Sequence, residues 1–258
     1  MEKKSRMPAV YVGHGSPMNA ITDTPFSRAW KAMGEALPRP RAIAVVSAHW
    51  FVPGTAVTAM AQPRTIHDFG GFPKALFDVR YPAPGDPALA AQIADLLAPT
   101  SVRLDTAWGF DHGNWSVLVH AYPNADIPVV QISIDSTQPA AYHMELGRRL
   151  APLREQGVLV IACGNVVHNL EKIDFQATAP YDWTVRFDLH IKAALEARDD
   201  YALIAYQEHP DARLAAPDED HYFPLLYAAG MRDERDRLEF IVEGYDAGSI
   251  SMRAFTLA

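Results

Sequence analysis

Cysteine is nearly missing from this chain: Cys163 is the only one among 258 residues. An intrachain disulfide is therefore impossible, and zinc patterns built on paired cysteines are excluded. Cationic residues are also in short supply, 23 Lys and Arg against 31 Asp and Glu, and the net charge of −8 leaves no electrostatic footprint for nucleic acid. No run approaches the roughly 18 apolar residues of a membrane helix. Lys3, Lys4 and Arg6 make a small basic start, but the apolar stretch from Pro8 to Val12 is too short for a signal-peptide core. The expectation is a cytoplasmic protein with neither nucleic acid nor membrane as a partner. A phosphate-binding glycine loop, a Gly-x-Ser-x-Gly elbow and a His-Glu-x-x-His helix are missing too. Those absences weigh against nucleotide-dependent enzymes, serine hydrolases and zincins.

What remains is a chain long enough to bury about 75% of its unfolded surface. No linker, repeat or charge block divides it, so residues 7–258 are expected to form one catalytic domain. Short β-branched runs read as buried strands: Ala9–Val12, Ala42–Val46, Ile127–Ile134 and Val158–Ala162. Their near-continuous apolarity implies a sheet covered on both faces. Leu238–Val242 and Ile250–Phe255 alternate more and suit edge or antiparallel strands. Helical periodicity falls at Phe26–Glu35, Pro87–Leu97, Ala140–Leu153, Thr184–Ala197 and His221–Ala229, with Asp86 as the N-cap before Pro87. This alternation predicts an α/β fold with a central, mostly parallel or mixed sheet flanked by helices. Between Trp50 and Pro87 the pattern weakens and reads as long loops over one face.

Four of the ten histidines fall where a predicted strand or turn gives out: His14, His49, His168 and His221. Ligands gather at the carboxyl ends of strands in α/β proteins, and neutral imidazole is the commonest metal ligand. If the first two strands are neighbours, His14 and His49 leave the same sheet edge and can share one ion. Gly13 and Gly15 let the backbone around His14 turn sharply. Asn165 and Asn169 flank His168 and suit orienting its ring or a substrate. Cys163 lies five residues before His168, but in that apolar run it reads as a small buried hydrophobe. His221 follows Asp218-Glu219-Asp220 at a helix start, where the dipole disfavours imidazolium. Glu219 or Asp220 suits ligation equally well.

A fifth histidine, His112, follows Asp111, which would raise its basicity for a proton shuttle or a substrate hydrogen bond. His67 opens a glycine-containing loop whose Phe69 and Phe72 look built to close over an aromatic ring. His120, His143, His190 and His209 read as structural or solvated.

Six phrases now stand in order: Gly13-His14-Gly15-Ser16-Pro17, Ser47-Ala48-His49-Trp50, His67-Asp68-Phe69-Gly70-Gly71-Phe72-Pro73, Gly109-Phe110-Asp111-His112-Gly113, Gly164-Asn165-Val166-Val167-His168-Asn169 and His221-Tyr222-Phe223-Pro224-Leu225. Together they resemble the bacterial and plant 4,5-DOPA extradiol dioxygenases, of the class III (protocatechuate 4,5-dioxygenase B-type) superfamily. The resemblance implies a non-haem Fe(II) that cleaves a catechol beside its diol with O2. It places His14, His49 and His221 as metal ligands and His168 as the acid–base group, which also approaches or binds the metal when Zn(II) fills the site. His112 is implied near the substrate. Protocatechuate-type relatives place a carboxylate at His221's position, so this chain replaces a 2-His-1-carboxylate triad with a neutral set. The implied partners are a small catechol and O2, with homo-oligomerisation left open. Two other classes fit the same ligands: a zinc hydrolase using metal-bound water, and a non-enzymatic binding protein of the same fold.

Overall fold

A computed structural model describes residues 6–258. Eight strands form its main sheet: β1 Ala9–Gly13, β2 Ala42–Val52, β3 Thr55–Thr58, β4 Val102–Asp105, β5 Val129–Asp135, β6 Val158–Gly164, β7 Leu238–Val242 and β8 Ala254–Leu257. Their order across the sheet is β4-β3-β5-β2-β6-β1-β8-β7. The central four, β5-β2-β6-β1, are parallel. β8 and β7 add antiparallel strands at one side, and β3 pairs antiparallel to β5 at the other.

Alternate side chains of the parallel strands feed two cores. Tyr11, Ala44, Val46, Val160 and Ala162 point to one, while Val10, Val12, Val45, Leu159 and Ile161 point to the other. Helices α2 (Pro87–Leu96), α4 (Ala140–Leu150), α5 (Asp182–Ala197) and α6 (Phe223–Gly230) cover the first face. Helices α1 (Pro25–Ala36) and α3 (His112–Ala121) cover the second with Trp30, Met33, Trp115 and Leu118. Burial on both faces is why these strands lack the alternation of a half-exposed sheet. Among the described residues no helix is long and apolar enough to cross a membrane.

The fold class is as expected from the sequence, with several local differences. β2 and β1 are not neighbours, because β6 lies between them and pairs with both. The stretch after Trp50 is not all loop: β2 runs on to Val52, and Gly54 (φ +82) turns the chain into β3. Only glycine takes that left-handed turn cheaply. The expected helix through Leu153 stops at Leu150, because Pro152 has no N–H to continue it and opens a separate short helix, Pro152–Glu155. α6 begins at Phe223, so His221 precedes it. α3 begins at His112, a start that the helical periodicity did not reveal, with the Asp111 side chain as N-cap. Gly113 and Asn114 are poor helix formers and masked that start.

One tie far from the sheet edge closes the fold. Arg154, fully buried, donates Nη1 to Asp236 Oδ2 at 2.8 Å and Nη2 to Asp236 Oδ1 at 2.6 Å. Burial pushes the Asp236 carboxyl up, but the guanidinium hydrogen bonds from Arg154 and Arg6 outweigh this and hold it well below the usual carboxylate range. A depressed folded pKa stabilises the protein above the unfolded value near ~3.9, and that stability is lost as pH falls toward the folded value. Asp236→Asn should therefore cost about 3–5 kcal/mol at neutral pH, because it leaves Arg154 buried without its partner. The variant's deficit should shrink as the solution is acidified below about pH 4. Urea melts at several pH values measure both, and a deficit independent of pH would mean that the ion pair is not its source.

Candidate metal centre

The parallel register decides which side chains meet. Gly13 of β1 pairs with Gly164 of β6, and Ser47 of β2 pairs with Cys163 of β6. The three strands therefore reach one sheet edge together; the segments leaving β1 and β6 carry His14 and His168, and His49 lies within β2 itself. His49 lies beyond the last rung between β2 and β6, where the pairing of β2 with β5 also shifts register between Val46 and Phe51. This irregularity breaks the strand's regular course where His49 sits, over the edge.

Backbone bonds lock the segments together. His14 N–H donates to Gly164 O at 3.1 Å, and Asn165 N–H donates to His221 O at 2.8 Å. Gly164 makes the second contact possible: a Cβ there would lie 2.2 Å from His221 O. The Asn165 side chain accepts from Gly15 N–H at 3.3 Å and donates to Ser251 O at 2.8 Å. Asn165 thus braces the turn after His14 from behind the cavity rather than lining it.

Five imidazoles converge on the cavity floor. Ring centroids of His14 and His49 lie 4.9 Å apart, those of His49 and His221 4.9 Å, and those of His14 and His221 5.3 Å. His112 sits 3.8 Å from His49, and His168 stacks on His221 at 3.5 Å. Nitrogens of His14, His49 and His112 all fall within 4.8 Å of one another, close enough to share an ion. His14 Nδ1 faces Gly15 O at 3.0 Å, leaving Nε2 buried and without a hydrogen-bond partner. His49 Nδ1 faces Asp68 Oδ2 at 3.2 Å, and its Nε2 is likewise buried and unpartnered. His221 Nδ1 lies 3.0 Å from Asp220 Oδ1, and its Nε2 is buried without a hydrogen bond.

An unpaired buried polar atom costs about 1–3 kcal/mol, so several aimed at one point imply a ligand that satisfies them. The donor set is all imidazole, which suits a transition metal. Burial first, and the neighbouring imidazoles second, hold His14, His49 and His168 well below the usual histidine pKa. They are neutral at pH 7, the form a metal requires. The histidines therefore fit a non-haem metal ion.

The sequence reading overlooked Asp68. Its Oδ2 lies 2.8 Å from His112 Nδ1 and 3.2 Å from His49 Nδ1, and its Oδ1 accepts from His112 N–H at 2.9 Å. Burial raises the Asp68 carboxyl, but the hydrogen bond and charge of His112 prevail and keep it ionised. The carboxylate thus fixes the tautomer of His112 and lies against the Nδ1 side of His49. Asp111, expected to do this for His112, instead accepts from Ser47 Oγ at 2.7 Å and from the Gln131 side chain. Asp68→Asn should weaken metal affinity about 10- to 100-fold, the usual cost of losing a carboxylate behind a ligating histidine. Chelator competition measures this; unchanged affinity would mean that packing alone holds His49.

Around the histidines opens a cavity of about 660 Å³, walled by Phe69, Phe72, Leu170, Ile173 and Phe175. His67 is not in that wall; its Nε2 faces Val79 O at 3.1 Å and its ring packs on Phe69 and Trp115. Cys163 lies buried in β6, and burial pushes its thiol far up, so it is no nucleophile. His120 and His143 bond to backbone oxygens or to Tyr227 away from the cavity.

Comparison with known proteins agrees with this geometry. A family model described as the catalytic LigB subunit of aromatic ring-opening dioxygenase matches residues 4–252. A 4,5-DOPA dioxygenase extradiol of Escherichia coli is 52% identical over 253 residues, covering 96% of this chain and 93% of that protein. One of Beta vulgaris with the same name is 36% identical over 252 residues, covering 95% and 94%. The crystal structure of an uncharacterized Escherichia coli K12 protein superposes with a TM-score of 0.87 at 46% identity, covering 98% of this chain and all of that one. With the family model spanning nearly the whole length and a relative 52% identical over 96% of it, the chain belongs to the LigB family of aromatic ring-opening dioxygenases.

Proposed function

We propose that the protein is an extradiol dioxygenase of the 4,5-DOPA type, opening a catechol ring beside its diol with O2. The observation that supports this most is the set of three buried, unpartnered Nε2 atoms on His14, His49 and His221 at the base of an aromatic-walled cavity. These three hold Fe(II), and Zn(II) suits the same neutral set. Bound Fe(II) supplies Lewis acidity toward the diol oxygens and redox chemistry toward O2.

The chain's own groups do the rest. Phe69 and Phe72 hold the aromatic ring against the histidines and exclude water from it. His112, with Nδ1–H committed to Asp68, offers the Nε2 lone pair to a diol hydroxyl. His168 starts neutral, accepts a phenolic proton on its ring and returns it as the ring opens. Both atoms of O2 enter the product, a ring-opened semialdehyde that is yellow. Residues 7–258 act together as one catalytic domain.

The test is anaerobic loading with Fe(II), then L-DOPA and a measured amount of O2. One O2 consumed per catechol, with a yellow product, is expected. A metal-loaded protein that consumes no O2 would overturn the proposal and leave a hydrolase or binding protein.

A further inference from the structure

The cavity wall carries charge of one sign. Asp68, Glu171, Asp218, Asp220 and Asp246 line it, and among the described residues no lysine or arginine does. Two of these carboxylates are already engaged near the histidines: Asp68 with His112, and Asp220 with the backbone N–H of His221 at 2.7 Å. The other three come from separate segments. Glu171 lies on the 3-10 turn Leu170–Lys172, Asp218 in the loop before α6, and Asp246 in the short ribbon that pairs Tyr245–Asp246 with Ile250–Ser251. Among the described residues none of the three forms an ion pair, and Lys172, next to Glu171 in sequence, does not line the cavity. Burial pushes the Asp246 carboxyl up with no cation to offset it.

Acidic residues alone would not mark a ligand site. Here the unpartnered nitrogens of His14 and His221, on residues only 1% and 5% exposed, mark the same cavity independently. They set the polarity of the site. The diol belongs at the histidines and the ring between the phenylalanines. The substituent on the ring is then left to the rest of the lining, which among the described residues offers these carboxylates and no lysine or arginine.

We propose that Glu171, Asp218 and Asp246 are specificity-determining residues that select catechols whose side chain ends in a cationic amine. The inference rests on reading the cavity as a catechol site. An ammonium group there gains attraction from three uncompensated carboxylates, whereas a carboxylate on the same side chain meets repulsion and no donor. L-DOPA, which carries both, falls between a catecholamine and a catechol acid.

The experiment compares dopamine, 4-methylcatechol and 3,4-dihydroxyphenylacetate on the full-length Fe(II)-loaded protein. Both kcat/KM and, under anaerobic conditions, Kd by calorimetry are measured. Cation over neutral over anion is the expected order in both, with the spread narrowing at 0.5 M salt relative to about 0.05 M. Glu171→Gln, Asp218→Asn and Asp246→Asn should each lower the dopamine to 4-methylcatechol ratio about two- to fivefold, as for partly exposed ion pairs. Equal values for the three catechols, or an order that survives all three substitutions together, would overturn the proposal. Turnover and binding separate the two readings. If no catechol is turned over, the ring-opening reading fails, while the order of Kd values still decides whether the wall selects by charge.

Discussion

His14→Ala and His49→Ala should each yield a folded protein that is purified with almost no metal and opens no catechol ring. Both residues present a buried Nε2 with no protein partner, while the opposite nitrogen bonds Gly15 O in His14 and faces Asp68 at 3.2 Å in His49. Removing either leaves two of the three proposed imidazoles, and the remaining site forfeits much of its affinity. The loss is expected to exceed the roughly 10- to 100-fold cost of disturbing a group behind a ligand. Neither change should unfold the sheet, since His14 and His49 lie beyond the regular rungs that hold the parallel strands. Circular dichroism together with elemental analysis checks both halves of the expectation. Near-full occupancy in either variant would remove that residue from the ligand set. The same measurement on His112→Ala and His221→Ala decides between two triads that share His14 and His49. His112 has the closer nitrogens, whereas His221 has a buried, unpartnered Nε2.

Much of this site could be read from sequence because its parts obey local rules. Gly13-His14-Gly15 follows a run of β-branched and small apolar residues, and Gly164 closes another, so strand ends and their histidines are visible without coordinates. The sheet's two buried faces are equally legible, since continuous apolarity along Ala42–Val46 and Val158–Ala162 leaves no solvent face. The route by which His14 and His49 meet was not legible. They flank β6 rather than each other, because strand order is set by which faces pack on which helices. Asp68 escaped notice for a related reason. Its partner His112 is 44 residues away, and an aspartate in a glycine-containing loop looks like ordinary turn chemistry. Asp111, by contrast, sits beside His112 in sequence and seemed its natural partner, yet as N-cap of α3 it points back toward Ser47 and Gln131. The acidic wall is the extreme case: Glu171, Asp218 and Asp246 each look like a solvated loop residue until three segments bring them together.

His168 should separate from the metal ligands by what its loss leaves intact. Its ring stacks on His221 at 3.5 Å, and its backbone N–H donates to Ala215 O at 2.8 Å, so the loop holds the imidazole over the cavity without help from an ion. Burial and the nearby imidazoles of His221, His14 and His112 keep it neutral, the state of a base before it acts. Glutamine at this position preserves a polar group of similar reach but takes no proton at neutral pH. His168→Gln should therefore retain much of its Fe(II), held by His14, His49 and His221, while kcat falls by about two to four orders of magnitude, the usual worth of a positioned acid–base group. The loss should be smaller for 4-nitrocatechol than for catechol, because a more acidic hydroxyl needs less help in losing its proton. Stopped-flow absorbance on iron-loaded wild type and variant gives the two ratios directly. Equal losses for both catechols, or a variant purified without iron, would show that His168 serves the metal before it serves the proton.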